Sequence, residues 1–321
     1  MADTAYGDVV EGAPQAGGVR APLKLVPARH PSGWLDRYAR FILPLPAVAA
    51  VVIMLAGPLL YTVWMSLQDW TISSVAAPQF VGLDNYVTLF TSDPRFRNSV
   101  AITFYFTILA VTVQTFAGVT LALLFNRQFW GRGLLRTLAI LPMVATPVAI
   151  ALIFVMIYHP TLGVLNYFVT RLGLPLGTWT YASNTVIPAL VLVDTWQWTP
   201  LIMLIVLAGL AVLPHEPYEA AMIDGASQWQ MLWLITLPLV RPAIITAMLF
   251  RLIDSLKTFD IIFVMTQGGP GGASETINVY LFNTAFSYFK MGMASSMVVV
   301  FFAIILGISL VVIRVRRGLW L

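Results

Sequence analysis

The chain has 321 residues, 59% of them hydrophobic and only 10% charged, and it contains no cysteine. A soluble globular domain carries roughly 25% charged residues, so the composition argues against a soluble protein and indicates one that faces lipid. The absence of cysteine excludes disulfides and thiolate metal or redox sites.

The N-terminal segment differs in composition from the rest of the chain. Residues 1–36 mix Gly, Pro, Ala and isolated charges without apolar periodicity, which is typical of a disordered tail. No short apolar core followed by a small-residue cleavage site occurs there, so the segment does not resemble a signal peptide. We therefore expect a disordered tail at 1–36 and a transmembrane domain at 37–321.

Six apolar segments are long enough to cross a membrane as helices. Hydrocarbon about 30 Å thick requires roughly 20 helical residues, and the alternation of membrane β-strands is absent. The predicted spans cover residues 41–67, 99–125, 134–158, 185–212, 242–266 and 291–313. We therefore predict an all-α polytopic protein with six transmembrane helices. Prolines in spans are commonly tolerated, but Pro142 and Pro147, together in the third span, are the best candidates for a pivot.

The basic residues predict the orientation of these spans, because Lys and Arg are enriched in short cytoplasmic loops. With the N-terminus inside, twelve of the eighteen basic residues lie in the tail or the inner loops, and four lie in outer loops. Both termini and the loop 213–241 are then cytoplasmic. This asymmetry explains the net charge of +4 better than nucleic-acid binding does, so we expect membrane lipid and no nucleic acid as partners.

The loop 213–241 carries the most informative pattern. Two prolines suit a helix start, two acids follow in the first turn, and alanines give the helix a slim surface. A helix resting on the membrane favours Lys and Arg, yet 213–240 holds three acids and neither basic residue. A short helix that docks in a partner's groove is therefore the better interpretation. Its candidate contact residues are Glu219, Ala220, Ala221, Asp224 and Gly225, the last of which permits a sharp turn or a close backbone approach.

The same loop resembles the EAA motif of ABC-importer permeases at every position. The match consists of Glu219-Ala-Ala221, three residues, Gly225, nine residues and Ile235-x-Leu-Pro238. In that family the motif forms the coupling helix, which docks on the nucleotide-binding subunit. The resemblance therefore implies the type I ABC importer permease fold and a contact with an ATPase through this loop.

Other segments are similar to the carbohydrate-uptake branch of that family, and within it to the larger maltose-type permease. These segments are Gly82–Phe90, Asn126–Gly133 with Arg136-Thr137, Asp194–Pro200, Phe259-Asp260 and Thr266–Pro270. The similarity covers roughly residues 40–317, although the extra N-terminal spans and the large outer domain of the maltose protein are missing. The chain thus resembles the commoner six-span permease.

The resemblance also implies partners. It implies a second homologous permease in a heterodimer, a dimer of ATP-binding cassette ATPases, and an extracytoplasmic solute-binding protein that docks on the outer loops 68–97 and 267–290. It places the protein in the bacterial plasma (inner) membrane. ATP and Mg are expected in the ATPase partners and no cofactor in this chain, because the chain contains no G-x-x-x-x-G-K-[ST] phosphate loop.

The fifth predicted span carries ionisable residues, which are costly in a membrane and usually face a cavity or one another. They follow at intervals of three: Arg251, Asp254, Lys257 and Asp260. One face of a helix would carry Arg251, Asp254, Ser255 and Thr258. This face is either part of a self-neutralising ladder of ion pairs or one wall of a sugar-sized cavity, and the resemblance favours the cavity. We expect Lys257 and Asp260 to form a structural pair.

The fourth span adds three candidate pathway residues, Asp194, Gln197 and Trp198. Carboxylate and amide groups bind hydroxyls, and aromatic rings stack on the apolar faces of sugars. The alternative for Trp198 is an interfacial aromatic belt. Gln114, midway along the second span, is expected to bond to a neighbouring helix.

These observations predict a permease subunit of an ATP-driven sugar importer and not an enzyme. His30, His159 and His215 are isolated, so no metal or catalytic cluster is expected. Two alternatives stay open. An ABC permease for a polyol or glycerol 3-phosphate is one, because Arg251 leaves room for an anion. An ion-coupled secondary transporter that uses Asp254 or Asp260 is the other.

Overall fold

The computed structural model describes residues 38, 41, 43–74 and 76–318. The expected tail at 1–36 lies outside these residues. The chain divides after Ala56 into a short N-terminal unit and a long unit that begins at Gly57. All of the elements of functional interest belong to the long unit.

The first third of the chain joins two long helices through short elements. These are α1 (Leu45–Ser66), β1 (Gln68–Asp69), β2 (Gln79–Phe80), α2 (Asp84–Thr91) and α3 (Pro94–Asn126). The strands pair antiparallel, with Gln68 opposite Phe80. A proline at the first helical position and a side-chain cap fix the start of α3, where Oδ1 of Asp93 accepts a hydrogen bond from N of Phe96 at 2.9 Å.

The third predicted span is broken in the structure. It consists of α4 (Arg132–Val144) and α5 (Pro147–Ile157), whose axes are bent by 97°. Pro147 causes the break, because a proline lacks the backbone N–H and drives the preceding residue into an extended conformation. Thr146 accordingly has a ψ of 139°. Pro142 lies inside α4. The third span was predicted at 134–158 with Pro142 and Pro147 as candidate pivots, and the structure breaks this span at Pro147.

The next helix forms the centre of the bundle. After α6 (Val164–Arg171) comes α7 (Val186–Ala211), the most buried of the candidate spans. It packs along α3 more extensively than any other pair of elements does. A Cβ atom on Gly118 of α3 would lie 2.8 Å from the side chain of Ile202, so the two helices approach closely because this residue is glycine.

The loop after α7 leads into the fifth span. It contains α8 (Glu216–Ile223), α9 (Gln228–Met231) and a π-helical turn (Leu232–Thr236), followed by α10 (Leu237–Leu256). The sequence predicted that this span extends to residue 266, but α10 ends at Leu256, where N of Lys257 donates to O of Asp254 at 3.0 Å. The single helical face expected for Arg251 through Thr258 is therefore interrupted.

Two short helices, a π-helical turn and one long helix follow α10. They are α11 (Asp260–Thr266), α12 (Ile277–Phe282) with a π-helical turn (Asn283–Ser287), and α13 (Met291–Gly318). Helix α11 packs against α5, and one apolar cluster joins α5, α7 and α11 through Ile150, Val193 and Ile261. A second cluster joins α3, α7 and α10.

The span count agrees with the predicted class. Among the described residues, five helices are long and apolar enough to cross a membrane, and the bent α4–α5 pair makes a sixth if it counts as one crossing. The prediction of an all-α polytopic membrane fold is confirmed.

Candidate functional site

A buried arginine joins three helices of the bundle. Arg251 of α10 has no exposed surface. Its Nε donates to Oε1 of Gln114 in α3 at 2.7 Å, and its Nη2 donates to Oδ2 of Asp194 in α7 at 2.5 Å. Its Nη1 donates to Oδ2 of Asp254, one turn further along α10, at 2.6 Å. Each guanidinium nitrogen therefore has a partner, and one side chain ties α3, α7 and α10 together.

These four residues form what we call the Arg251 cluster: Gln114, Asp194, Arg251 and Asp254. Its bonds close a ring, because Nε2 of Gln114 donates to the same Oδ2 of Asp194 at 2.7 Å. The guanidinium carbon also lies 5.2 Å from the ring centroid of Trp198, within cation–π range. Buried charges are tolerated when they are paired and hydrogen-bonded. Arg251 therefore has an architectural role, and one effect of it is to fix the carboxylate of Asp254.

Asp254 connects the Arg251 cluster to a cavity. Its side chain is 48% exposed, whereas those of Arg251 and Asp194 are fully buried. A cavity of about 200 Å³ lies where α10 ends and where α5 and α11 begin, and it is lined by Pro147, Trp198, Asp254, Lys257, Thr258, Phe259, Asp260 and Ile261. The lining combines carboxylates, a hydroxyl, an ammonium group and aromatic rings. Such a mixture suits a solute that carries many hydroxyls.

The seven predicted pathway residues separate into two groups. Three of them line the cavity: Trp198, Asp254 and Thr258. The other four are at most 1% exposed: Asp194, Gln197, Arg251 and Ser255. Thr258 reaches the cavity from the segment after α10 and not from the face of that helix. The sequence predicted that Arg251, Asp254, Ser255 and Thr258 share one helical face. In the structure, Asp254 and Thr258 line the cavity, whereas Arg251 and Ser255 are buried behind it.

The expected pair of Lys257 and Asp260 is absent. Within the described part of the chain, the ion pairs are Arg95–Glu275, Arg251–Asp194 and Arg251–Asp254. Because α10 ends before Lys257, the two residues are not one turn apart on a common helix. Both are exposed and line the cavity.

Gln197 supports the break between α4 and α5. Its Nε2 donates at 3.2 Å to O of Ala145, at the end of α4, where the carbonyl groups lack intrahelical donors. Four buried atoms in α7 and α10 make no hydrogen bond within the described residues: Oδ1 of Asp194, Oγ1 of Thr195, Oε1 of Gln197 and Oγ of Ser255. Unpaired buried polar atoms are uncommon. Their concentration beside the Arg251 cluster marks this part of the bundle as unusually polar.

The candidate contact residues of the loop form a short helix with a defined end. Helix α8 has eight residues, and Gly225, just after it, has a φ of +78°. N of Ala226 donates to O of Ala221 at 2.9 Å, and N of Gly225 donates to O of Met222 at 3.1 Å. These two bonds define a Schellman motif, which favours glycine at the left-handed position. A Cβ at Gly225 would meet no atom within 4 Å, so the glycine serves the backbone angle and not a close contact within this chain.

The outer surface of α8 is open. Glu219 and Ala220 are exposed, and Ile223 at the end of the helix is 87% exposed. The chain after it is well ordered by a capping box, in which N of Ser227 donates to Oε1 of Gln230 at 2.7 Å. Met222, next to Ile223, is also exposed, so the end of α8 presents two neighbouring apolar side chains to another protein.

An ion pair that the sequence did not reveal joins the start of α3 to the segment before α12. Nε of Arg95 donates to Oε2 of Glu275 at 2.6 Å, and Nη2 donates to Oε1 at 2.7 Å. No motif in the sequence indicated this pair directly. The nearest segment with a family resemblance is Thr266–Pro270, which ends five residues before Glu275. The pair joins the two segments, 68–97 and 267–290, that were expected to receive a solute-binding protein.

Comparison with known proteins gives consistent matches. Residues 114–319 match the family described as "Binding-protein-dependent transport system inner membrane component". The trehalose/maltose transport system permease protein MalF of Thermococcus litoralis is 33% identical over 280 residues, which are 86% of this chain and 93% of that protein. The sulfoquinovosyl glycerol transport system permease protein SmoG of Agrobacterium fabrum is 34% identical over 288 residues, 88% of this chain and 93% of that protein.

The fold is also found in a solved structure. A chain in the crystal structure of a bacterial alginate ABC transporter, in complex with its alginate pentasaccharide-bound periplasmic protein, superposes with a TM-score of 0.77. The superposition covers 89% of this chain and 96% of that one, at 22% sequence identity. The predicted permease fold is therefore confirmed.

Proposed function

Because the chain belongs to the family of binding-protein-dependent transport system inner membrane components, we propose that it forms half of the pathway by which an ATP-driven importer moves a sugar across the membrane. Its relatives are membrane permeases of ABC transporters and not enzymes. The alternative of an ion-coupled secondary transporter is not supported, because the matching family consists of membrane components of transport systems that depend on a binding protein. The observation that carries the sugar proposal is the polar, partly aromatic cavity at the end of α10.

The charge of this cavity favours a neutral solute. Its lining holds the carboxylates of Asp254 and Asp260 against the single ammonium group of Lys257. The positive charge of Arg251 is not free for an anion, because the guanidinium is buried and bonded to two carboxylates. A neutral sugar or polyol therefore fits better than an anionic derivative such as glycerol 3-phosphate.

Each pathway residue has a proposed role. Asp254 accepts hydrogen bonds from solute hydroxyls, Thr258 adds a hydroxyl, and Trp198 offers a ring face for stacking. The buried residues hold this lining in place: Asp194 and Arg251 through the ring of bonds, Gln197 through the carbonyl of Ala145, and Ser255 beside Asp254. A charge-assisted hydrogen bond contributes about 1.5–3 kcal/mol, so Asp254 carries the largest single contribution to solute binding.

The proposed motor lies outside this chain. We propose that α8 docks in a groove of a separate ATPase, with Ile223 and Ala220 against its surface and Glu219 paired with a basic residue. A dimer of these ATPases binds ATP and Mg, and its closure pulls on α8. A second, homologous permease supplies the other half of the pathway as a heterodimer. A solute-binding protein delivers the sugar to the outer loops 68–97 and 267–290.

The proposed location is the bacterial plasma (inner) membrane, with both termini and α8 in the cytoplasm. The distribution of basic residues supports this orientation. It requires that the bent α4–α5 pair counts as one crossing, because five crossings would leave the two termini on opposite sides.

Reconstitution of the complete importer in lipid vesicles tests the proposal. We expect neutral sugars delivered by the binding protein to stimulate ATP hydrolysis and to accumulate in the vesicles. The matched uronic acids and sugar phosphates should have little effect. Stimulation by a cation gradient without any ATPase subunit, or by anionic sugars alone, would contradict the proposed function.

A further inference from the structure

We propose that Tyr218 is a positioning residue that carries the movement of α8 into α10 through one hydrogen bond. This inference rests on the proposed coupling role of α8. Tyr218 directly precedes Glu219, and its hydroxyl donates to Oγ1 of Thr236 at 3.1 Å. Thr236 is the last residue of the π-helical turn and immediately precedes α10. The bond therefore connects the exposed helix α8 to the residue that immediately precedes α10, the helix that holds Arg251.

The acceptor of this bond is itself fixed in direction. Oγ1 of Thr236 donates to O of Met231 at 3.2 Å, so the same hydroxyl accepts the proton of Tyr218. Hydrogen bonds in series polarise one another, which strengthens both. The π-helical turn is closed by N of Leu237, which donates to O of Leu232, and single π turns within helices recur at functional sites. Tyr218 is thus bonded to an ordered turn.

Few other contacts attach α8 to the bundle. Within the described residues, the bond from Tyr218 to Thr236 is the only side-chain hydrogen bond that α8 makes to another element. A cavity of about 630 Å³ separates this loop from the end of α3, and Tyr218 and Thr236 both line it, together with Leu123 and Arg127. Continuous apolar packing therefore does not hold the loop against α3. The hydroxyl bond braces the short connection at 224–227.

Because Thr236 immediately precedes α10, the bond from Tyr218 can transmit a movement of α8 to that helix. Helix α10 has 20 residues and is therefore about 30 Å long. Pro242 removes one backbone hydrogen bond from this helix, but the helix continues without a break to Leu256. A displacement at Thr236 therefore reaches Arg251 and Asp254 near its other end. Without the brace, α8 can turn about the connection at 224–227 while α10 stays in place. ATP hydrolysis would then continue with less transport.

The test compares conservative variants in the reconstituted importer. Y218F and T236V each remove one hydroxyl of the bond, and T236S keeps the hydroxyl. The readout is the amount of sugar transported per ATP hydrolysed. We expect each single loss to lower this ratio about fivefold, which corresponds to about 1 kcal/mol for one hydrogen bond. The Y218F/T236V double variant should match the singles, and T236S should keep the wild-type ratio.

Matched controls separate transmission from general damage. Thr246 lies in α10, and its hydroxyl donates to O of Pro242 at 2.8 Å. T246V therefore removes a hydroxyl without affecting the bond between Tyr218 and Thr236. Y181F does the same for an exposed tyrosine of another loop. Both controls should keep the wild-type ratio, and every variant should still copurify with the ATPase.

Four outcomes would overturn the inference. They are a wild-type ratio in both Y218F and T236V, a double variant whose loss is the product of the single losses, a loss in T246V as large as that in T236V, and failure of Y218F to copurify with the ATPase. The last outcome would show that the bond serves docking and not transmission. A wild-type complex that hydrolyses ATP but moves no sugar would instead count against the proposed function.

Discussion

Removal of the guanidinium from the Arg251 cluster should destabilise the protein strongly. In R251M, the carboxylate of Asp194 stays fully buried and keeps only the amide of Gln114 as a partner. The loss of one partner from a buried ion pair costs about 3–5 kcal/mol. In a chain of this size, 1 kcal/mol lowers the midpoint of thermal unfolding by roughly 2 °C, so we expect a decrease of about 6–10 °C.

Two further variants make this prediction specific. K257M makes a similar change at an exposed residue close by on the chain, and a surface substitution of this kind usually stays within about 0.5 kcal/mol. The triple variant Q114L/D194L/R251M replaces the bonded ring by apolar side chains, which is often neutral or stabilising when a buried ion pair is removed as a whole. Asp254 is half-exposed and keeps its charge in water. The triple variant should therefore recover most of the stability that R251M loses.

Thermal unfolding of the purified protein in lipid nanodiscs, followed by tryptophan fluorescence, measures these differences. The expected order of midpoints is wild type and K257M together, the triple variant slightly lower, and R251M clearly lowest. An R251M midpoint equal to that of K257M would refute the architectural role of Arg251. A triple variant as unstable as R251M would refute the explanation by an unpaired buried carboxylate.

Three other predictions concern the cavity, the loop and the topology. D254N should raise the sugar concentration for half-maximal uptake about tenfold, because it removes a charge-assisted hydrogen bond; unchanged uptake would argue against contact with the solute. G225V should abolish uptake, whereas G225N, whose side chain tolerates the left-handed conformation, should keep it; equal uptake in both would contradict the Schellman requirement. Single cysteines at Ser227 and Leu162, in a chain that otherwise has none, should react with an impermeant maleimide from the cytoplasm and from outside, respectively; labelling of both from one side would contradict the topology.

Much of the fold could be predicted because the bilayer imposes one simple requirement. Long uncharged runs must be helices, so the spans around α1, α3, α7 and α13 follow from length and composition. Pro147 was one of two predicted pivot candidates in the third span, but a bend as large as 97° between α4 and α5 was not predicted. A proline in a membrane helix often only kinks it, and whether it breaks the helix depends on partners for the freed carbonyl groups, such as Gln197.

The site was predictable in its residue types and not in its geometry. Ionisable residues inside a span indicated that Arg251 and Asp254 matter. The sequence does not show that α10 ends at Leu256, nor that the guanidinium bonds to Gln114 of α3, 137 residues away. For these reasons Arg251 does not line the cavity, contrary to the prediction, but is buried behind it and bonds to Asp254, which does line it. The geometry of the loop 213–241 was easier to predict, because its backbone conformation depends on local residues. Gly225 has the left-handed φ angle that the end of a helix requires.

The coupling of α8 to a separate ATPase is tested most directly by a charge on its most exposed apolar residue. Ile223 is 87% exposed, and Leu162, in the loop before α6, is a matched control at 84%. We predict that I223D inserts in the membrane in normal amount but neither copurifies with the ATPase nor shows sugar-stimulated ATP hydrolysis, whereas L162D keeps both. Full copurification and stimulated hydrolysis in I223D would contradict the coupling role of this helix.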